Sequence, residues 1–212
     1  MKTDNGTVYV VDDDDLFRRT LERMILKMGF SVEGFCSAEA FIQHFPVRHP
    51  ACLVLDVFLP GIDGLALQER FLGKEGMPPI VFITGHGDIP MSVKAVKNGA
   101  EDFLLKPFDA EDLLGAITRA LVRDRHVEEQ EIQKRKIQSL INKLTPREQD
   151  VMREIITGKL NKQIGADLGI EEKTVRIHRS RLMRKLKMSS VADLVRTLEK
   201  VGIVHELPIN LQ

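Results

Sequence analysis

The chain has 212 residues, 43% hydrophobic and 29% charged, a balance that excludes a disordered polymer and a disulfide-stapled mini-protein. No stretch approaches the roughly 18 apolar residues of a bilayer span, and the polar start, Met1 to Gly6, has no apolar signal region, so a cytoplasmic protein with no membrane partner is expected. Formal net charge is zero, yet residues 1–120 carry twelve Lys/Arg against eighteen Asp/Glu while residues 145–212 carry thirteen against nine, which suits a cation site first and a polyanion partner second.

From residue 7 onward, short β-branched runs alternate with longer segments of helical period. Strands are expected over 7–11, 31–35, 51–55, 79–83 and 102–105, and helices over 16–28, 38–45, 65–72, 90–98 and 110–121. Five successive βα units predict an α/β domain with a five-stranded, doubly wound parallel sheet. Cys36 and Cys52 fall in apolar runs and read as buried thiols. Residues 122–143 turn charged and Gln-rich without Gly or Pro, which reads as a linker helix; Ile137, Ile141 and Leu144 keep coiled-coil spacing for one heptad, but Val127 and Ile132 break the register. Thr145-Pro146-Arg147-Glu148 then opens a new helix with an N-cap threonine, a proline at the first position and a glutamate three on from the cap. The expected domains are 1–121, a linker over 122–143, and a small all-α domain over 144–212.

Ligands of open α/β sheets bind beyond the carboxyl ends of the strands. There the sequence places Asp12 and Asp13 after the first strand, Asp56 at the third, Thr84 at the fourth and Lys106 at the fifth. Three carboxylates on one edge repel one another unless a hard divalent cation joins them, and Mg²⁺ prefers such oxygen ligands. Asp56 is then a candidate nucleophile, and Mg²⁺, Lys106 and the Thr84 hydroxyl can neutralise a transferring phosphoryl group. Asp14 and Asp15 belong instead to a helix start, where the dipole favours them.

The run 8–14 (VYVVDDD), then Leu53-Val54-Leu55-Asp56 with Leu59-Pro60-Gly61 and Asp63-Gly64, then Ile83-Thr84-Gly85-His86-Gly87-Asp88, then Asp102-Phe103 and Lys106-Pro107-Phe108 resembles the flavodoxin-like receiver domain of two-component response regulators, closest to the FixJ/NarL type. The resemblance implies that Asp56 accepts phosphate from a cognate sensor histidine kinase, with Mg²⁺ held by Asp12, Asp13, Asp56 and the backbone carbonyl of Phe58. It further implies Lys106 as the phosphoryl contact, Thr84 and Phe103 as the switch pair, and a cis Lys106–Pro107 bond. By the same resemblance Phe58 stands beside the approach of a hydrolytic water, which leaves the lifetime of the phosphoryl group open, and His86 on the opposite side is read either as a second influence on it or as a surface histidine in a turn. An aspartyl-phosphate phosphatase is the competing class, but such enzymes place a second aspartate where Phe58 stands. The chain is therefore read as a regulator that promotes its own phosphorylation and dephosphorylation rather than as an enzyme.

In the basic back half, Val151, Ile155 and Ile156 mark a scaffold helix ending at Gly158. A short helix over 162–168 stops at Gly169, and a longer one over 171–187 carries seven Lys/Arg, the signature of a helix-turn-helix. At 100° per residue Val175, Leu182 and Leu186 form the core stripe, leaving Ile177, Ser180 and Arg184 opposite, flanked by Arg176 and Arg181. Base edges are assigned to Arg176, Ile177 and Ser180, and phosphates to Lys173, His178, Arg181 and Lys185; Arg179, about 40° from the core stripe, suits an intramolecular ion pair as well as a DNA contact. The pieces 144–148, Asn161-Lys162-Gln163-Ile164, and 174–179 (TVRIHR) with Lys185-Leu186 resemble the LuxR-type helix-turn-helix, which adds Lys162 and Thr174 to the candidate DNA contacts. Promoter double-stranded DNA is the expected partner, with RNA polymerase a further candidate. A single short recognition helix also predicts a homodimer on phosphorylation, through the face of residues 90–98 and the fifth strand.

Overall fold

The computed structural model describes residues 5–86 and 89–203, so Gly87 and Asp88 of the fourth-strand motif lie outside the described residues. In chain order the elements are β1 (Thr7–Val11), α1 (Asp15–Lys27), β2 (Ser31–Phe35), α2 (Ala38–His44), β3 (Ala51–Asp56), α3 (Gly64–Phe71), β4 (Ile80–Thr84), α4 (Ile89–Lys97), β5 (Asp102–Leu105) and α5 (Ala110–Ile141). Then come α6 (Pro146–Ile156), α7 (Asn161–Leu168), α8 (Glu172–Leu186) and α9 (Val191–Lys200). The chain divides into two compact units between Glu128 and Glu129.

In the first unit the strands are all parallel, in the order β2-β1-β3-β4-β5. Successive side chains alternate faces, so the sheet builds two cores. Tyr9, Val11, Leu53, Leu55 and Phe82 pack with Phe41 of α2, Leu67 of α3 and Ala95 of α4. Val8, Val10, Cys52, Val54, Val81 and Ile83 pack with Leu21 and Ile25 of α1 and Leu113 and Ile117 of α5. Covering both faces explains why β3 is buried along its whole length, each large side chain contributing about 1.5–3 kcal/mol. The helix starts are fixed locally: Asp14, Ser37 and Asp63 accept backbone N–H groups at the starts of α1, α2 and α3.

Two expectations are corrected. Cys52 is buried in β3, where desolvation raises its thiol pKa, but Cys36 is exposed because it lies just past the end of an edge strand. The helix expected to end at residue 121 does not end there: with no Gly or Pro to stop it, α5 runs on through the charged stretch, which is helical as read. Its last apolar residues, Ile137 and Ile141, with Leu144, enter the core of the second unit, so they do not form an open coiled-coil seam.

The second unit packs α6, α7, α8 and α9 around Val151, Met152, Ile155, Ile164, Val175, Leu182, Leu186, Leu194 and Leu198. The capping box closes as the sequence predicts, Glu148 N–H donating to the Thr145 hydroxyl and Thr145 N–H to Glu148 Oε2 at 2.8 Å. Gly169 ends α7 in the left-handed region (φ +65°). Gly165 lets the next segment approach, since a Cβ there would stand 2.7 Å from the Ile170 carbonyl oxygen.

Candidate functional sites: an acidic pocket and a basic helix

Register builds the acidic pocket. Val11 pairs with Leu55, so Asp12 and Asp56 leave adjacent strands side by side, and Ile83 pairs with Asp56, which brings Thr84 to the same edge. Thr84 pairs with Leu105, followed by Lys106 and its cis bond to Pro107. Carboxylate oxygens of Asp12, Asp13 and Asp56 lie within 4.8 Å of one another. Asp12 is fully buried, Asp56 nearly so, and Asp13 is open to solvent.

Lys106 compensates the cluster. Its ammonium donates to Asp56 Oδ2 at 2.6 Å and to Asp12 Oδ2 at 2.7 Å, and stands 4.0 Å from the centre of the Phe17 ring. Burial raises the pKa of Asp12, with the Asp56 charge adding to it, although Lys106 and the Asp14 N–H pull the other way. Burial acts to lower the Lys106 value, but its bonds to both carboxylates prevail and hold it above the ordinary one. Asp56 Oδ1 accepts the Phe58 N–H at 3.1 Å, and the loop returns at Gly64, where a Cβ would meet the Asp56 carbonyl oxygen at 2.3 Å. The Asp56 side chain is thus oriented by the Phe58 N–H, and its backbone is closely approached at Gly64.

Thr84 and Phe103, expected to act as a switch pair, are differently placed. Thr84 is buried, and its hydroxyl is engaged with the backbone of His86, donating to the carbonyl at 3.3 Å and accepting the N–H at 3.2 Å. Phe103 is half-buried against the first core, its ring 6.2 Å from that of Phe82. Sequence reasoning missed two supports of the pocket: Phe17, and Arg18, whose guanidinium donates to the Asp12 carbonyl at 2.7 Å and pairs with Asp15. Their spacing from Asp12 in the first turns of α1 carries no recognisable signal.

Along α8, Lys173, Arg176, Ile177, Ser180, Arg181 and Arg184 are exposed, as is Lys162 at the start of α7. Arg176 pairs with Glu172 at 2.6 Å. Thr174 and His178 are half-buried, and His178 Nδ1 is buried with no hydrogen-bond partner among the described residues. Arg179 reaches across to Asn161 Oδ1 at 2.9 Å. Lys185 departs most from expectation: its ammonium donates to Glu148 Oε2 at 2.5 Å, tying the end of α8 to the capping box of α6. Burial pushes Glu148 up, but Lys185 and the Thr145 N–H outweigh it and hold its carboxyl below the usual value. A phosphate contact by Lys185 has to compete with that buried partner.

Among the described residues no helix is long and apolar enough to cross a membrane. Residues 8–118 match the family model of the response regulator receiver domain, and residues 142–198 match that of the bacterial regulatory proteins of the luxR family. Nodulation protein W of Bradyrhizobium diazoefficiens is 45% identical over 196 residues, covering 92% of this chain and 86% of its own. The transcriptional regulatory protein FixJ of the same organism is 35% identical over 204 residues, covering 96% and 100%. Among solved structures, the response regulator StyR superposes with a TM-score of 0.79 at 44% identity, covering 92% of this chain and 98% of that one. Because the likeness runs through both halves and nearly the whole length at once, the chain belongs to the response regulators with a luxR-family DNA-binding domain, which regulate transcription in dependence on phosphorylation.

Proposed function

We propose that Asp56 is the phosphoacceptor, charged by a cognate sensor histidine kinase: a carboxylate oxygen of Asp56 forms the new bond to phosphorus as the bond to the kinase's histidine nitrogen breaks. The carrying observation is the cluster itself, with three carboxylates within 4.8 Å and an ammonium bonded to two of them. That donor set, oxygen-only and excessively negative, fits Mg²⁺ held by Asp12, Asp13, Asp56 and the Phe58 carbonyl. When bound, the ion supplies positive charge against the phosphoryl oxygens. Lys106 then turns from its carboxylates to the phosphoryl group, which is within reach of its present position. Thr84 exchanges its His86 bonds for a phosphoryl oxygen, and Phe103 follows into the space released. Phe58, 52% exposed, and the exposed His86 line the approach of the water that later removes the group, an activity of the chain itself.

The output is promoter binding by α8 in a cytoplasmic regulator, with RNA polymerase as a further partner. Arg176, Ile177 and Ser180 read base edges, while Lys162, Lys173, Arg181 and Arg184 contact phosphates, supported by their shared exposure. Thr174 and His178 contribute from the half-buried flank, and Lys185 acts chiefly on Glu148.

Phosphorylation promotes a homodimer through α4 and β5, supported by four exposed apolar side chains there, Ile89, Val93, Val96 and Leu105. Of the four charges on this face, Lys94, Lys97, Glu101 and Asp102, three are engaged within the chain, Lys94 with Glu69, Glu101 with Arg119 and Arg123, and Asp102 with Arg119, while Lys97 is exposed. Apolar burial is therefore the driving force of that contact.

Incubation with acetyl phosphate and Mg²⁺ tests the reading. Wild type incorporates phosphate and Asp56→Asn does not; undiminished labelling of the variant overturns the assignment. Sedimentation at micromolar concentration then has to separate the two forms by mass, and equal masses overturn the dimer.

A further inference from the structure

We propose that the cleft bordered by the starts of α7 and α9 and one side of α8 seats a phosphate of the DNA backbone, with Arg179 as its principal contact. This rests on the reading of α8 as the helix that enters the major groove. The cleft measures about 390 Å³ and is lined by Asn161, Arg176, Arg179, Ser180, Met183 and Ser190 among others. Arg176, Arg179, Ser180 and Met183 are linked by three-residue (176/179, 180/183) and four-residue (176/180, 179/183) spacings and so form one strip of α8. Within that strip Arg176 and Ser180 lie toward the base-reading face, whereas Arg179 lies on the edge nearest the core stripe, where a groove-bound helix meets the sugar-phosphate wall.

Charge decides what the cleft takes. Arg179 is half-buried and donates to Asn161 Oδ1, a neutral amide that satisfies one N–H and cancels no charge. Among the described residues no carboxylate lies within ion-pair distance of it, unlike Arg176 with Glu172 and Lys185 with Glu148. A guanidinium has five donors in a planar fork, so four remain for an oxyanion. Two helix starts border the same space: Asn161 is the first residue of α7, and Ser190 is the N-cap of α9, its hydroxyl accepting the Asp193 N–H. Their partial positive charge adds to that of Arg179. Asp193, held below the usual carboxylate range chiefly by the Ser189 N–H, keeps its charge at the start of α9 and reduces this field; its Oδ2 is turned to the Ser189 N–H and hydroxyl, both at 3.0 Å, so the unopposed guanidinium of Arg179 and not the helix start carries the site.

The test is Asn161→Asp, which removes no atom contact and turns the amide partner of Arg179 into an ion-pair partner. The acetyl-phosphate-treated full chain is titrated with a random-sequence duplex at several salt concentrations. For Asn161→Asp, and for Arg179→Met, affinity is expected to fall about three- to tenfold and the log–log salt slope by about 0.9, the signature of one lost phosphate contact. The thermal midpoint of Asn161→Asp should be unchanged or higher. An unchanged slope in both variants overturns the proposal and leaves Arg179 as a clamp between α7 and α8. A thermal midpoint that inorganic phosphate raises at fixed ionic strength in wild type only, with no slope change in the variants, assigns the cleft to a free anion and also overturns it. Absence of any salt-dependent binding by wild type would instead fault the reading of α8 itself.

Discussion

The acidic pocket and the basic helix differ in where their counter-charge comes from. In the pocket, one ammonium serves two carboxylates, and every member hangs from a strand end fixed by sheet register. Along α8 the cations are spread over four turns, and each finds a different fate: Arg176 pairs within its own helix, Lys185 with a buried acid 37 positions away, Arg179 with a neutral amide, while Lys173, Arg181 and Arg184 are exposed. A parallel sheet converges its strand ends by topology, so chemistry there is readable from position alone. A helix assigns faces by periodicity, but which face meets which neighbour is a tertiary fact.

The sharpest way to test that contrast is Lys185→Met. If Lys185 belongs to Glu148, removing it strands a carboxylate that is 3% exposed, at a cost of about 2 kcal/mol, reduced from the about 3–5 kcal/mol of a fully buried pair because Lys185 is 33% exposed. Chemical denaturation is the measurement, and the salt slope of DNA binding should not move. Glu148→Gln with Lys185→Met should recover part of the loss, since no unpaired charge remains. Because the Glu148 carboxyl is held below its ordinary value of 4.5, the wild-type contribution is present above that pH and lost as pH falls through the lower folded-state value. A stable Lys185→Met chain with a reduced salt slope would return Lys185 to the DNA contacts.

A smaller effect separates the exposed cations from one another. Arg184→Ala should weaken operator and random-sequence DNA equally and lower the salt slope by about 0.9, whereas Arg176→Ala should cost about 1–2 kcal/mol of discrimination between them. Equal specificity ratios for the two variants would contradict the division of α8 into a base-reading and a phosphate-facing side.

Legibility of the sequence follows the same contrast. All five strands were readable from their β-branched runs, and the αα turn from Gly169, because each signal is local. The pocket residues followed from strand ends, but the present engagement of Thr84 with His86 did not, since a hydroxyl's choice between neighbours leaves no pattern. The Lys185–Glu148 pair was hidden for a physical reason: an exposed cation and a paired one occupy the same place in a helical wheel. Helix α9 had a signal that went unused, Ser190 with Asp193 at capping spacing ahead of Leu194 and Leu198. Cys36 misled because an apolar run on an edge strand does not extend burial beyond its last pair.

The smallest expected effect lies at the other end of β3 from Asp56, where α5 is tied to the sheet. Asp124, 3% exposed, accepts the Ala51 N–H at 2.6 Å and lies 2.7 Å from His49 Nδ1. The hydrogen bond to Asp124 raises the His49 pKa above 6.5; burial opposes this, while the charges of Asp124 and Glu128 and a backbone bond at Gly76 support it. The folded chain therefore binds a proton that the unfolded chain has released, so the pair's contribution is complete below about pH 6.5 and fades as pH rises through the folded-state value. His49→Gln keeps a donor for Asp124 but carries no charge. The difference in thermal midpoint between wild type and His49→Gln should accordingly be largest near pH 6 and shrink steadily toward pH 9, whereas the Ala51 bond, which does not titrate, holds α5 in both. A difference that is flat across this range would mean that His49 is neutral against Asp124, and that Asp124, unlike Glu148, is satisfied by hydrogen bonds without a cation.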